Sequence, residues 1–316
     1  MSKSFDLTHL RGTIAVVTGA GNGGIGWGLA KHCASLGMDV AIIDLHESLV
    51  TSARDQLLKE FDVACLGIAC DVTDPAALQS CAEEIQTELP GRRFGAVFAN
   101  AGVIFNRTIL KSTLEEWQTT LNVNVVGVIN TIQAFVPHMQ ASELPSIFST
   151  TASIGGLVRG DGGGAAYQAS KHAVVALTES LSFELASKSP QISIHVLCPC
   201  IVESGLGVTS RTNLAVKNGD VAAEDVKPTE TAMLSRAMTT ERHAQQVFDH
   251  IAAGNFYMIT DNVRPYVDHD HPFDGLNIVK ERFDNLMQLQ IDNSDAFEKG
   301  PTGIPTSILK GPLWRK

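Results

Sequence analysis

The sequence predicts an α/β fold, a doubly wound parallel sheet of about seven strands with helices on both faces. Two observations carry that prediction. Short apolar runs alternate with longer helical patterns from residue 13 to about residue 260. The runs are apolar almost throughout, as strands are when helices cover both sheet faces. Alternation at this spacing requires βαβ units, right-handed by default, and so a parallel sheet.

The first run, 13–18 (TIAVVT), enters a glycine-rich turn, Thr18-Gly19-Ala20-Gly21-Asn22-Gly23-Gly24-Ile25-Gly26, and then a helix opening near Gly24. The second, 39–44, ends on Asp44 and leads to a helix from Glu47. The third, 63–70, is followed by Asp71-Val72 and by Asp74-Pro75, with proline in a first helical turn. The fourth, 96–100, runs into Asn100-Ala101-Gly102. Ser112-Thr113 then caps a helix from Leu114, and Glu115 and Glu116 suit its positive N-terminal end. The fifth, 146–151, precedes Ser153 and a helix from Ala165. The sixth and seventh, 192–198 and 256–260, flank a helix from Glu241.

Two stretches break the rhythm. Residues 204–240 are polar and show no strand pattern; so long a connection in a compact domain suits a substrate lid. Its apolar residues, Leu206, Val208, Leu214, Val216, Met233 and Leu234, suggest a medium-sized hydrophobic or cyclic substrate. Residues 261–316 read as a C-terminal extension with an amphipathic helix over 276–290. Both stretches are taken as parts of one domain spanning 1–316.

Composition narrows the function. A net charge of −10 without a basic stripe argues against a nucleic-acid partner. The six cysteines are scattered and read as free buried thiols; Cys198-x-Cys200 is too isolated for zinc. His269-Asp270-His271 reads as solvated loop, so no metal is expected, and His138 and His195 read as packed or surface residues. The N-terminal segment lacks the apolar core of a signal peptide, and no apolar run reaches the roughly 18 residues that span a bilayer. The expectation is a cytoplasmic protein with no membrane partner.

Tyr167 and Lys171 stand four apart in a helical pattern, so phenol and ammonium share one face. A free phenol titrates near pH 10, and a fixed cation favours its ionised form. Alone the pair is a weak signal; the glycine turn strengthens it. Glycines there allow positive φ and let backbone N–H groups approach a pyrophosphate at the helix N-terminus. Two G-x-G-x-x-G registers fit, Gly19/Gly21/Gly24 and Gly21/Gly23/Gly26. Asp44 lies where an acid accepts from adenosine ribose hydroxyls and repels a 2′-phosphate. No arginine follows it, so NAD is favoured over NADP.

With these motifs in order, residues 10–260 resemble the short-chain dehydrogenase/reductase family, which implies a Rossmann-type sheet. The resemblance implies that Tyr167 is the general acid/base and that Lys171 lowers its pKa and binds the nicotinamide ribose. It implies that Ser153 polarises the substrate oxygen and that Asn124 kinks its helix and holds a relay water. Asp71 and Val72 would meet the adenine, while Asn100, Ala101 and Gly102 would shape the turn beneath the adenosine. Gly19, Gly21, Asn22, Gly24, Ile25 and Gly26 would cradle the phosphates. Pro199, Ile201 and Ser204 would meet the nicotinamide, with Ile201 packed on its ring.

Departures from the family pattern are visible. One extra residue precedes Gly24-Ile25-Gly26, Cys200 stands for a glycine after Pro199, and Ser204 replaces a threonine. The loop over 154–166, the turn over 103–111 and the 204–240 stretch are expected to border the substrate pocket. The expected activity is NAD-dependent interconversion of a secondary alcohol and a ketone. An NADPH-dependent carbonyl reductase and a catalytically silent NAD-binding regulatory protein remain alternatives. The resemblance also implies a homodimer or homotetramer, paired through helices over 114–138 and 165–187.

Overall fold

The computed structural model describes residues 4–21, 23–157, 164–219 and 237–260. All of them fall in one compact unit, Met1–Asn262. The expected helix over 276–290, the His269-Asp270-His271 loop and the single-domain assignment of 261–316 lie outside the described residues, as do Met233 and Leu234.

Seven parallel strands form one sheet in the order β3-β2-β1-β4-β5-β6-β7. They are β1 (Ile14–Thr18), β2 (Asp39–Asp44), β3 (Cys65–Ala69), β4 (Phe94–Ala99), β5 (Ser146–Thr151), β6 (Ile192–Pro199) and β7 (Tyr257–Thr260). β2 and β5 have the expected bounds. β4 begins two residues early because Phe94 already pairs with Ile14. The helices are α1 (Gly24–Ser35), α2 (Glu47–Glu60), α3 (Pro75–Glu88), α4 (Leu114–Leu121), α5 (Gly127–Gln140), α6 (Ala165–Lys188), α7 (Leu206–Lys217) and α8 (Thr240–Ala252).

Local chemistry sets several of these boundaries. Asp74 caps α3 by accepting from the Ala76 and Ala77 N–H groups. Thr113 and Glu116 close a reciprocal capping box on α4. The stretch expected as one helix over 114–138 is three pieces, with a π-helical turn over Asn122–Val126 between α4 and α5. Such turns place an extra residue in the helix and re-aim its side chains.

Leu114–Gln140 is long and apolar enough to cross a membrane, contrary to the expectation that no run would be. Half of its apolar window is buried: α5 packs against β4, β5 and α3. Composition alone does not separate a core helix from a membrane span.

Helices α1, α2 and α8 lie on one face of the sheet, and α3, α5 and α6 on the other. Leu29, Ala30, Cys33, Val247, Phe248 and Ile251 interleave beneath β1 and β2. At Gly28 a Cβ would stand 2.6 Å from the Thr240 carbonyl oxygen, so glycine permits the close α1–α8 approach. Strand order steps one way through β4, β5 and β6 with its helices on the second face. It steps the same way from β6 to β7, yet α8 sits on the first face. With the other crossovers right-handed, this last one is left-handed. The β6–α8 connection therefore passes over the carboxyl edge of the sheet, which is where α7 lies.

Two buried imidazoles sit in this frame. His195 on β6 contacts the Asn255 carbonyl and the Ser193 hydroxyl, and burial pushes its pKa down to about 4. His243, fully buried on α8, is also pushed to about 4 by desolvation. Both stay neutral in the folded state while the unfolded chain binds protons near pH 6.5. Stability is therefore present above pH 6.5 and is lost as pH falls toward 4, by up to about 3 kcal/mol per imidazole. Urea midpoints taken across that window should fall, and His243→Leu should flatten the fall.

Candidate active site

A cleft of about 540 Å³ opens at the carboxyl ends of β1 and β4, where the strand order reverses. Doubly wound sheets bind ligands at this switch point. The glycine turn forms one wall. Gly19, Gly23 and Gly24 have positive φ, which identifies how the extra residue is absorbed: by two consecutive glycines just before and at the start of α1. A Cβ at Gly19 would stand 2.7 Å from Ala101 Cα, and one at Gly26 would stand 2.6 Å from Asn100 Nδ2. Asn22 lies outside the described residues.

Asp44 closes one end of the cleft. Its carboxylate accepts from the Gly21 N–H at 2.9 Å and the Leu45 N–H at 2.8 Å. Burial raises its pKa, against the lowering effect of those two bonds. Asp71 and Val72 line the same region. Asp71 accepts from the Thr73 N–H, and the Val72 carbonyl is held by Asn130 Nδ2 at 2.9 Å. Asn130 was not anticipated; it lies inside an apolar helix face and gives no separate signal.

Asn100 ties the floor together. Its N–H donates to Thr18 Oγ1, its side-chain amide donates to the Thr18 and Gly19 carbonyls, and its Oδ1 accepts from Thr151 Oγ1. The Ala101 N–H shares Thr18 Oγ1 at 3.0 Å. At Gly102 a Cβ would lie 3.2 Å from Asn124 Oδ1 and 3.4 Å from Lys171 Nζ.

The far end holds the titratable pair. Tyr167 lies on α6 with part of its ring open to the cleft. Its phenol is hydrogen-bonded with Ser153, yet protein atoms desolvate it enough that its pKa is raised above 10. The expected lowering by Lys171 is therefore absent in the protein without nucleotide. Lys171 Nζ stands 5.5 Å from the Tyr167 ring centre and donates to the Thr151 carbonyl at 2.7 Å. Burial pushes its pKa down to about 8. Cys198, fully buried on β6, hydrogen-bonds with the Ser153 backbone and lies close enough to Lys171 to interact electrostatically.

Asn124 sits on the π-helical turn, fully buried. Its Oδ1 accepts from the Val103 N–H at 2.7 Å, and its Nδ2 donates to the Val103 carbonyl and to Ser170 Oγ. The irregular helix was expected; the two-point grip on Val103 was not.

Pro199 and Ser204 reach the cleft, and Ser204 packs near Gly24. Ile201 is 39% exposed and is not among the residues that line the cleft. Its carbonyl accepts from the Met238 N–H. The Pro199–Cys200 turn needs no left-handed residue, since no described non-glycine residue has positive φ. The polar 204–240 stretch contains a helix, α7, that sequence reading missed. Leu206, Ser210 and Leu214 at four-residue spacing were its signal, weakened by Gly205 and Gly207. Residues 158–163 and 220–236 lie outside the description. No group of three metal-ligating side chains occurs among the described residues.

A sheet switch point, a glycine turn that admits no Cβ, an acid at one end and a buried phenol–amine pair at the other define a dinucleotide oxidoreductase site. The chain matches the short chain dehydrogenase family over residues 13–215 and belongs to it. It is 30% identical to the 1-deoxy-11-beta-hydroxypentalenate dehydrogenase of Streptomyces avermitilis, over 80% of this chain and 86% of that one. It is 26% identical to the C alpha-dehydrogenase of a Sphingobium species, over 95% and 92% of the two chains. A Burkholderia phymatum short chain dehydrogenase/reductase, solved in complex with NAD, matches with TM-score 0.69 at 28% identity, over 89% and 96% of the two chains. Members of the family are oxidoreductases that act on hydroxyl groups and bind nicotinamide cofactors. The tight turn, the acid and the length of the cleft fit such a cofactor.

Replacing Asn124 by alanine would leave the Val103 N–H and carbonyl without their partner in a dry site. Stability should drop by about 2 kcal/mol or more, read as a lower urea midpoint. Gly26→Ala should weaken NADH binding at least about tenfold by forcing the turn apart, read by fluorescence titration.

Proposed function

We propose that the protein is an NAD-dependent dehydrogenase that interconverts a secondary alcohol and a ketone. The observation that carries this reading is the hydrogen bond that Ser153 makes with the phenol of Tyr167, a residue that lines the cleft together with Lys171. Two hydroxyls side by side can hold one carbinol oxygen. When bound, the nicotinamide exchanges a hydride with the carbon of that alcohol. Tyr167 takes the hydroxyl proton during oxidation and returns one during reduction. Ser153 orients the same oxygen.

The phenol must be partly ionised to accept a proton. Burial opposes this in the free protein. Lys171 and a positively charged cofactor ring both favour the ionised form. Lys171, whose pKa lies near 8, carries its charge at neutral pH. It also hydrogen-bonds the nicotinamide ribose in this reading. Asn124, gripping Val103 and Ser170, keeps the loop after β4 and α6 in register with each other.

NAD rather than NADP follows from Asp44. A 2′-phosphate beside a carboxylate, with no nearby arginine in 45–47, is repelled. Val103, Leu206 and Leu214 line the cleft and support an apolar substrate. Relatives named for a hydroxypentalenate and for a C alpha position support an alcohol as the reacting group. Assembly through α4, α5 and α6 is supported by apolar residues left open there: Leu114 at 72%, Phe183 at 50% and Val126 at 39% exposed.

Tyr167→Phe should lower kcat by about 10²- to 10⁴-fold while NADH binding persists. Unchanged turnover would remove the proposed proton carrier. Wild type should prefer NADH over NADPH by at least about tenfold in kcat/KM, and Asp44→Asn should narrow that gap. Light scattering should return a dimer or tetramer; a monomer would contradict the assembly.

A further inference from the structure

We propose that His46 and Asn213 form a latch through which α7 closes the adenosine end of the dinucleotide site and limits how fast the cofactor leaves. The inference rests on the dinucleotide reading above and names two residues that reading does not use.

The two side chains lie 167 positions apart, yet His46 Nε2 meets Asn213 Oδ1 at 3.0 Å. An amide oxygen only accepts, so the imidazole donates. His46 directly precedes α2, where Ser, Thr, Asp or Asn would turn inward to cap the helix. Its side chain makes no such bond. The carbonyl still accepts from the Leu49 and Val50 N–H groups, so the backbone starts the helix while the ring is free to reach elsewhere. His46 is only 6% exposed, and it stands two residues after Asp44. The bond is thus buried beside the carboxylate that would hold the ribose.

Helix α7 runs the length of the cleft. Leu206, Ser210 and Asn213 all line it. Midway along α7, Ser210 Oγ accepts from the Ile104 N–H at 2.9 Å. Three residues further on, Asn213 reaches His46, which follows the Asp44 strand end. The stalk that carries α7 is clasped at its base. The Glu203 N–H donates to the Met238 carbonyl, the Met238 N–H donates to the Ile201 carbonyl, and Val202 pairs with Met238. Those backbone bonds can persist while α7 swings. Ser210 and Asn213 are side-chain attachments about one helical turn apart.

A dinucleotide whose ribose hydroxyls sit on Asp44 has the His46–Asn213 bond as its neighbour. Leaving that position requires α7 to lift at this end, and lifting breaks the bond. The pair therefore acts on release rather than on the chemistry at Tyr167. Product release or lid opening, rather than chemistry, limits turnover in many enzymes.

The test is NADH release from the full chain, followed by stopped-flow fluorescence, in His46→Ala, Asn213→Ala, the double variant and His46→Gln. A neutral hydrogen bond predicts release about fivefold faster in each alanine variant. The double variant should be no faster than either single one, because both remove the same bond. His46→Gln, which keeps a donor, should restore a rate near wild type. Thermal melting alongside separates loss of the latch from loss of the fold. Unchanged release in both alanine variants, or effects that multiply in the double variant, would overturn the latch while leaving the dinucleotide reading intact. Failure of the wild-type chain to bind NADH at all would sink that reading, and the latch with it.

Discussion

Lys171 places an ammonium where water scarcely reaches, 3% exposed, and the Thr151 carbonyl receives it. None of the ion pairs among the described residues involves it. An amine so placed is held by geometry, and the geometry belongs to the sheet. Thr151 ends β5 and donates to Asn100, which directly follows β4; Asn100 in turn grips the last carbonyl of β1 and the first of the glycine turn. One chain of hydrogen bonds therefore joins the amine to the nucleotide wall across three strand ends. Buried polar chains of this kind are rigid when every member is satisfied. Both ends of the cleft inherit their spacing from it.

The topology supplies the second half of the site. A left-handed passage from β6 to α8 obliges the chain to cross the carboxyl edge of the sheet. The crossing segment includes α7, whose residues Leu206, Ser210, Asn213 and Leu214 line the cleft. Gly28 lets α8 approach α1 closely and so anchors the far side of the crossing. The cover over the site is a consequence of fold order rather than an ornament on it.

What could be read from the sequence follows the range of the interactions involved. Asp39–Asp44 and Ser146–Thr151 were legible to the residue; in the first, the continuous apolar run Val40–Ile43 marks a strand covered on both faces. Tyr167 and Lys171 were legible because helical spacing fixes a shared face. The kink at Asn124 was expected from the family resemblance, but its form, a π-helical turn over Asn122–Val126, was not legible, since its composition matches the flanking helices. Helix α7 was hidden by two glycines and by polar residues that find partners only in three dimensions: Ser210 on Ile104, Asn213 on His46. The pairing of the segment after β6 with Met238 is long-range and left no local sign in the sequence. The sign of the Tyr167 shift was also misread. Spacing reveals a nearby cation, but desolvation depends on everything packed around the phenol, which no local pattern records.

That desolvation is the core of the account. It pushes the phenol further above its already high ordinary value, so the proposed proton transfer depends on a positive cofactor ring joining Lys171 beside it. The chain has three tyrosines, few enough to resolve by NMR with ¹³Cζ-labelled tyrosine. Titrating Tyr167 without nucleotide and again with NAD⁺ tests the claim most directly. The account predicts a pKa above 10 in the free protein and a clear downward shift when NAD⁺ binds. A phenol already ionised at neutral pH without nucleotide, or one that NAD⁺ does not move, would contradict it.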